Sequence, residues 1–221
     1  MSVERLVMEA SEISRRFGRR WAVRRVSATL SPGTMSLFVG PNGAGKTTLF
    51  RLLAGTLRAS EGEVLIREAD TGRLLEIAEL RRYLALLGHE PGCYGDLSGL
   101  ENLKLFAGLY GRPGDKALLE GVLERVGLKG VGVRPASACS RGMLQRLGLA
   151  RLIVQDARIW LMDEPTTGLD EAGRALLRDV LQEARDRGCT LVAITHDVAS
   201  FGGDLDAVYH LERGRLVERS A

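Results

Sequence analysis

The sequence predicts an α/β fold with a mostly parallel sheet core, an antiparallel β portion and a helical insertion. Three observations lead there. The runs "MSLFVG" (35–40), "IWLMDE" (159–164) and "TLVAITH" (190–196) are apolar almost throughout, as strands covered on both faces are. The first 35 residues and "EGEVLI" (61–66) alternate apolar with polar, the mark of antiparallel strands with one wet face. Between about Glu90 and Arg151, apolar residues recur at three- and four-residue spacing, the period of a helix.

Each element follows in order. The strand at 35–40 runs into a glycine-rich stretch and then a helical pattern at 48–53. The charge-rich "READTGRLLEIAELRR" predicts a solvated loop and helix face. "LENLKLFAGLYG", "ALLEGVLERVGL" and "MLQRLGLARLIV" predict helices, with Pro91, Gly92, Pro113 and Gly114 as breakers. "AVYHLERGRLVE" predicts a hairpin that turns at Arg213 and Gly214. Residues 1–89 and 152–221 thus form two portions of one sheet core, and 90–151 a helical insertion with no flexible linker around it.

Composition narrows the class. At 221 residues, 27% charged and 45% hydrophobic, the chain has the make-up of an ordinary globular domain. Its net charge of +3 gives no strong basic field, so nucleic acid is not an expected partner. Of 31 cations only four are lysines (Lys46, Lys104, Lys116 and Lys129), an arginine bias of compositional origin. Cys93, Cys139 and Cys189 lie far apart with no CxxC pair, which fits reduced thiols and neither a disulfide framework nor a zinc site. The N-terminal stretch lacks a signal-peptide core, and no apolar run approaches the ~18 residues of a membrane span. A membrane role would need another chain to do the crossing. Trp21 and Trp160 read as packing residues, and His210 has no neighbour in sequence that makes it a ligand.

Residues 40–47 fit G-x-x-x-x-G-K-[ST] between a strand and a helix, the context this phosphate-binding pattern needs. Glycines let several backbone N–H groups converge on one point, and the helix start adds partial positive charge there. Lys46 adds a full charge for the β/γ-phosphates, and Thr47 offers a hydroxyl to Mg²⁺. The expected anion is a nucleoside triphosphate. "RIWLMDEP" then ends a strand on adjacent acids. Asp163 can reach Mg²⁺ through water, while Glu164 can align an attacking water and take its proton.

These motifs come in a fixed order: Lys46, then "SRGMLQRLGLAR" (140–151), "DEPTTGLD" (163–170) and "AITHD" with His196. That order resembles the ATP-binding cassette (ABC) family of P-loop NTPases, the motor subunits of ABC transporters, over essentially the whole chain. The resemblance implies that Phe17 stacks on adenine. Gly40, Pro41, Asn42, Gly43, Ala44, Gly45, Lys46, Thr47 and Thr48 would form the Walker A loop. Asp163 and Glu164 would be the Walker B aspartate and catalytic glutamate. Ser140 and Gly142 would serve as the surviving members of an LSGGQ signature, Asp170 as the D-loop aspartate and His196 as the switch histidine. It also implies a homodimer that closes head to tail on two ATP, with Mg²⁺ as cofactor. Transmembrane permease subunits would be the partners, at the cytoplasmic face of the cell membrane. Ser140 with the following N–H groups opens a helix, so each phosphate would lie between helix starts of two subunits.

Two positions depart from the family pattern. "CSRGM" (139–143) keeps Ser140 and Gly142 but replaces the other three signature residues. "LLGHEPG" puts His89 where the family has a metal-facing glutamine, which makes His89 a third candidate metal residue beside Thr47 and Asp163. Imidazole, however, ligates only when deprotonated and suits softer metals than Mg²⁺; the plain alternative is a tolerated loop residue. Either Glu90 covers the metal, or His89 relays contact from the permease without binding it. The stretch "LLGHEPGCYGDLSGLENLKLF" resembles haem-export ATP-binding subunits of cytochrome c maturation, as does the short chain, which implies haem export. Exporters of the ABC-2 type for drugs or lipids are the alternative. A non-transport cassette and a non-hydrolysing regulatory one are further alternatives. A GTPase is disfavoured because no N/T-K-x-D guanine-reading motif occurs.

Overall fold

A computed structural model describes residues 5–202 and 205–220, so the first four residues of the N-terminal stretch read above lie outside it. Strands β1 (Leu6–Phe17), β2 (Arg20–Leu30) and β4 (Glu61–Glu68) form an antiparallel sheet in the order β2-β1-β4. The main sheet joins β3 (Met35–Val39), β5 (Leu84–Leu87), β6 (Ile159–Asp163), β7 (Thr190–Thr195), β8 (Ala207–Glu212) and β9 (Arg215–Ser220) in the order β5-β6-β7-β3-β8-β9. All its pairings are parallel except the β8–β9 hairpin, which turns at Arg213 and Gly214 with positive φ at both. The α-helices among the described residues are α1 (Lys46–Leu53), α2 (Ile77–Tyr83), α3 (Gly99–Leu109), α4 (Lys116–Arg125), α5 (Arg141–Gln155) and α6 (Glu171–Asp186).

The unbroken apolar runs have a direct explanation in the two cores. Leu37, Val39, Trp160, Met162, Leu191 and Ala193 face one way, into a core shared with α3 to α6. Phe38, Ile159, Leu161, Val192 and Ile194 face the other way, against α1 and the antiparallel sheet. Alternate side chains point to opposite faces, so a strand covered on both is apolar at nearly every position. Trp160 is fully buried and its Nε1 donates to the Ala157 carbonyl at 3.0 Å. We expect Trp160→Ala to destabilise the fold by about 3–5 kcal/mol. Guanidinium titration followed by circular dichroism measures it, and a loss under 1 kcal/mol would contradict the packing described.

Strand β5 is the element the sequence hid. It has only four residues, its apolar run follows α2 with no turn signal between them, and Ala85 and Leu87 alone are buried. In the charge-rich stretch before it, Arg73 bridges Glu68 (2.8 Å) and Glu79 (3.2 Å) on the surface, as expected of a solvated face, while Leu75 turns inward. Helix α5 runs from Arg141 through position 151 to Gln155.

Candidate nucleotide site

The parallel strands β3, β6 and β7 all end on one side of the sheet, and their connecting residues meet there in a cleft of about 970 Å³. Its wall includes Phe17, Asn42, Gly43, Gly45, Lys46, Thr47, Thr48, His89, Asp163, Glu164 and His196. Among the residues the sequence singled out, Gly40, Pro41 and Ala44 belong to the same loop but do not line the cleft. Ser140, Gly142 and Asp170 lie away from it.

The loop between β3 and α1 is shaped by contacts that allow only glycine. A Cβ on Gly40 would sit 2.1 Å from the Leu211 carbonyl oxygen, and one on Gly45 2.3 Å from that of Ala22. Gly45 also has φ of 106°, which an L side chain rarely adopts. The β8–β9 turn clamps the loop: Gly214 N donates to Ala44 O at 2.8 Å, and Arg24 N donates to Gly214 O at 2.7 Å. Helix α1 starts with no side-chain cap and no acid in its first turn. Its free N–H groups and partial positive charge therefore face the cleft uncompensated, which favours an anion. Lys46 Nζ meanwhile donates to the carbonyls of Gly40 (2.8 Å) and Pro41 (3.2 Å), a position from which it can swing to a phosphate.

Across the cleft, Asp163 ends β6 and is 6% exposed. Burial pushes its carboxyl above the ordinary aspartate range, and the neighbouring Glu164 adds to the rise, while His89 and Lys46 oppose it. Two adjacent carboxylates are what a cation would relieve. The Thr47 hydroxyl and Asp163 carboxylate are hard oxygen donors of the kind Mg²⁺ takes, whereas a His89 nitrogen is not. Among the described residues no group of three His, Cys, Asp or Glu forms a metal cage.

Glu164 sits in the left-handed region with φ of 52°, a costly conformation for a non-glycine residue. Its N–H donates to Ile194 O at 2.8 Å, and its own carbonyl accepts from Thr167 N at 3.1 Å. The turn aims the carboxylate at β7, where Thr195 Oγ1 donates to Oε2 at 3.2 Å. His196 Nδ1 lies 2.9 Å from both carboxylate oxygens. In the tautomer with its hydrogen on Nδ1, the imidazole donates to this carboxylate.

The remaining predicted residues gather at the start of α5. Ser140 caps this helix, its hydroxyl accepting from Met143 N at 3.3 Å. A Cβ on Gly142 would come 2.8 Å from Gly168 O, so the helix start packs directly on the segment after Glu164. Gln145 Nε2 donates to Pro165 O at 2.8 Å, and Arg146 Nη2 donates to Asp170 Oδ1 at 2.8 Å. Asp170 caps α6 through Gly173 N at 2.8 Å. That bond, then Arg146, holds its carboxyl below the usual range.

Sequence reasoning missed part of the wall. Trp21, read as a packing residue, is half-buried and lines the cleft with the Arg16 guanidinium 5.5 Å from its ring centre. It pairs with Arg16 across β1 and β2 at the end of the antiparallel sheet, beyond the core. Phe17 beside it is 48% exposed, with Arg15 over its ring at 4.8 Å. Arg20 and Arg213 join the same wall. Aromatic and cationic groups at a cleft mouth suit a base and its phosphates, but only sheet pairing and the distant hairpin reveal them. Finally, the two departures from the family pattern approach each other, with Arg141 Nη2 3.5 Å from His89 Nε2.

Comparison with known proteins gives the following. The family model described as "ABC transporter" matches residues 23–167. The cytochrome c biogenesis ATP-binding export protein CcmA of Methylococcus capsulatus is 39% identical over 187 residues, 85% of this chain and 89% of that protein. The ABC transporter ATP-binding protein NatA of Bacillus subtilis is 34% identical over 203 residues, 90% of this chain and 82% of that one. Among solved structures, an ATP-binding subunit of an ABC transporter aligns with a TM-score of 0.86 at 24% identity, covering 97% of this chain and 90% of that one. A dimeric bacterial ABC transporter cassette aligns at 0.82 and 19% identity, covering 96% and 97%. At these identities the structural likeness speaks for the fold.

Proposed function

The chain belongs to the ABC transporter family, whose ATP-binding cassettes dimerise and act with transmembrane permeases, and we propose that this one powers haem export for cytochrome c biogenesis. It is an ATPase subunit, and no helix among the described residues is long and apolar enough to cross a membrane. The observation that carries the mechanism is the meeting of Lys46, Asp163, Glu164 and His196 in one cleft. In this reading, Phe17 and Trp21 hold the base while the loop at 40–48 and the α1 start cradle the phosphates. Lys46 exchanges its two carbonyl partners for phosphate oxygens. Glu164, held by Thr195 and His196, orients a water and accepts its proton as the water oxygen attacks the γ-phosphorus and the bond to the β-phosphate oxygen breaks. His196 is close enough to follow the charge on that phosphate. Thr47 and Asp163 would hold Mg²⁺, which supplies charge neutralisation on the phosphates.

Ser140 and Gly142 do not line their own chain's cleft, and in this reading they complete the nucleotide site of a second copy. Two copies close head to tail on two ATP, and 90–151 is the helical unit that presents this surface. The permeases sit above it, which makes the protein peripheral at the inner face of the cell membrane. The cargo reading is supported by relatives named as cytochrome c biogenesis export proteins and by His89 in its "GHEPG" setting. The second reading is the ATPase of an ABC-2 type drug or lipid exporter. The likeness to NatA, named as an ABC transporter ATP-binding protein with no cytochrome role in its name, is what keeps it.

Deleting the chain in its native host tests the cargo. Covalent haem in c-type cytochromes should disappear and return with the wild-type gene but not with Lys46→Ala. Normal cytochrome c in the deletion strain would turn the assignment to the second reading. His89→Gln should leave basal hydrolysis within about threefold, because oxygen-donor Thr47 and Asp163 remain, while altering stimulation by the permease complex. Complete loss of basal turnover would instead give His89 a direct chemical role.

A further inference from the structure

Arg151, on the third turn of α5, is 6% exposed, and its partners among the described residues are carbonyls and a ring rather than a carboxylate. Nη1 donates to Gly92 O at 2.7 Å and Nη2 to Leu86 O at 2.5 Å. The guanidinium lies 4.4 Å from the Phe106 ring centre, and Nε is buried without a hydrogen-bond partner. Burial holds its basicity below the ordinary arginine value. A buried cation without a counter-ion costs stability, so the two carbonyl contacts must offset that cost.

Those carbonyls occupy the two stems of a single loop. Leu86 belongs to β5, Gly92 follows Pro91, and between them the chain carries His89 to the nucleotide cleft. The fit around the clamp is tight on both sides. A Cβ on Gly92, whose φ is 65°, would stand 2.6 Å from Arg151 Nη1. One turn earlier on α5, a Cβ on Gly148 would stand 2.6 Å from Leu87 Cδ1 and 3.0 Å from Pro91 Cβ. The helix therefore lies directly on both stems, and one planar fork sets the distance between them.

We propose that Arg151 is a positioning residue that fastens the His89 loop to α5, so that the cleft wall and the helix begun at Ser140 move as one body. A nucleotide that draws on His89 then pulls α5, and a displacement of α5 reaches the cleft. The inference rests on the reading of the cleft as the ATP site. Lysine cannot fork across both carbonyls, so Arg151→Lys should keep only part of the effect.

Hydrogen–deuterium exchange of the full chain, with and without a non-hydrolysable ATP analogue, tests it. In Arg151→Met the amides at 88–93 should exchange about tenfold faster, the worth of one charge-assisted hydrogen bond. The analogue should still protect 40–48, while the protection it gives 141–152 in the wild type should be lost. Arg151→Lys should fall between the two proteins. Unchanged exchange at 88–93 would overturn the proposal. So would an equal rise across β3, β6 and β7, which a residue that merely stabilises the fold would give. If Arg151→Met does not fold, Arg151→Lys and Gly92→Ala decide, and both must speed exchange at 88–93. Failure of the analogue to protect 40–48 would count against the nucleotide site, and the comparison without nucleotide would still judge Arg151.

Discussion

Glu164→Gln is expected to lower ATP turnover by about 10²–10⁴-fold and to make ATP-bound dimers accumulate. The size of the effect follows from what the amide keeps and what it loses. Glutamine has the same length, so it can fill the space between Thr195 Oγ1 and the cleft and keep one acceptor oxygen. It cannot take a proton from water. The contacts that hold the triphosphate come from elsewhere, from the glycine loop, Lys46 and the α1 start, and they remain. His196 Nδ1, now at 2.9 Å from both carboxylate oxygens, keeps one acceptor to face. Binding without cutting should leave the γ-phosphate in place and the two copies joined. Phosphate release measures the first effect, and sizing chromatography with and without ATP the second. Turnover near the wild-type rate, or a monomer in saturating ATP, would remove Glu164 from the role given to it.

Lys46→Ala should weaken ATP binding by about 1.5–3 kcal/mol, or roughly ten- to 150-fold, the range of a charge-assisted hydrogen bond. The ammonium lies at the mouth of the helix start, where its carbonyl partners at 2.8 and 3.2 Å hold it ready without burying it. Alanine removes that charge yet keeps the loop, because the glycines at 40 and 45 and the clamp from Gly214 shape the backbone independently of Lys46. Calorimetric titration with ATP checks the affinity, and thermal melting of both proteins checks that the fold is intact. Equal affinities would mean that another group holds the phosphates.

The three central strands were legible because burial on both faces leaves little freedom of pattern: Met35–Val39, Ile159–Asp163 and Thr190–Thr195 are apolar apart from the buried Ser36, Asp163, Thr190 and Thr195. Strand β5 was not, since four residues that bury only Ala85 and Leu87 leave no period to detect. The glycine loop was legible as chemistry, with its glycines explained by contacts to Leu211 and Ala22 that no local rule contains. Trp21 and Arg213 lie 192 residues apart in the chain and share one wall, which only the pairing of β1 with β2 and the turn after β8 brings about. The approach of Arg141 to His89 was hidden for the same reason. Each looked like a separate departure from the family pattern, and the packing of α5 on the β5 stem brings them within 3.5 Å.

The most direct test is the phosphate released by the purified chain in Mg²⁺ and ATP, with Lys46→Ala prepared alongside. Release that is saturable in ATP for the wild type and nearly absent for the variant is the predicted outcome. No release from the wild type, even with the proposed permeases added, or equal release from both proteins, would contradict a motor that works through this cleft.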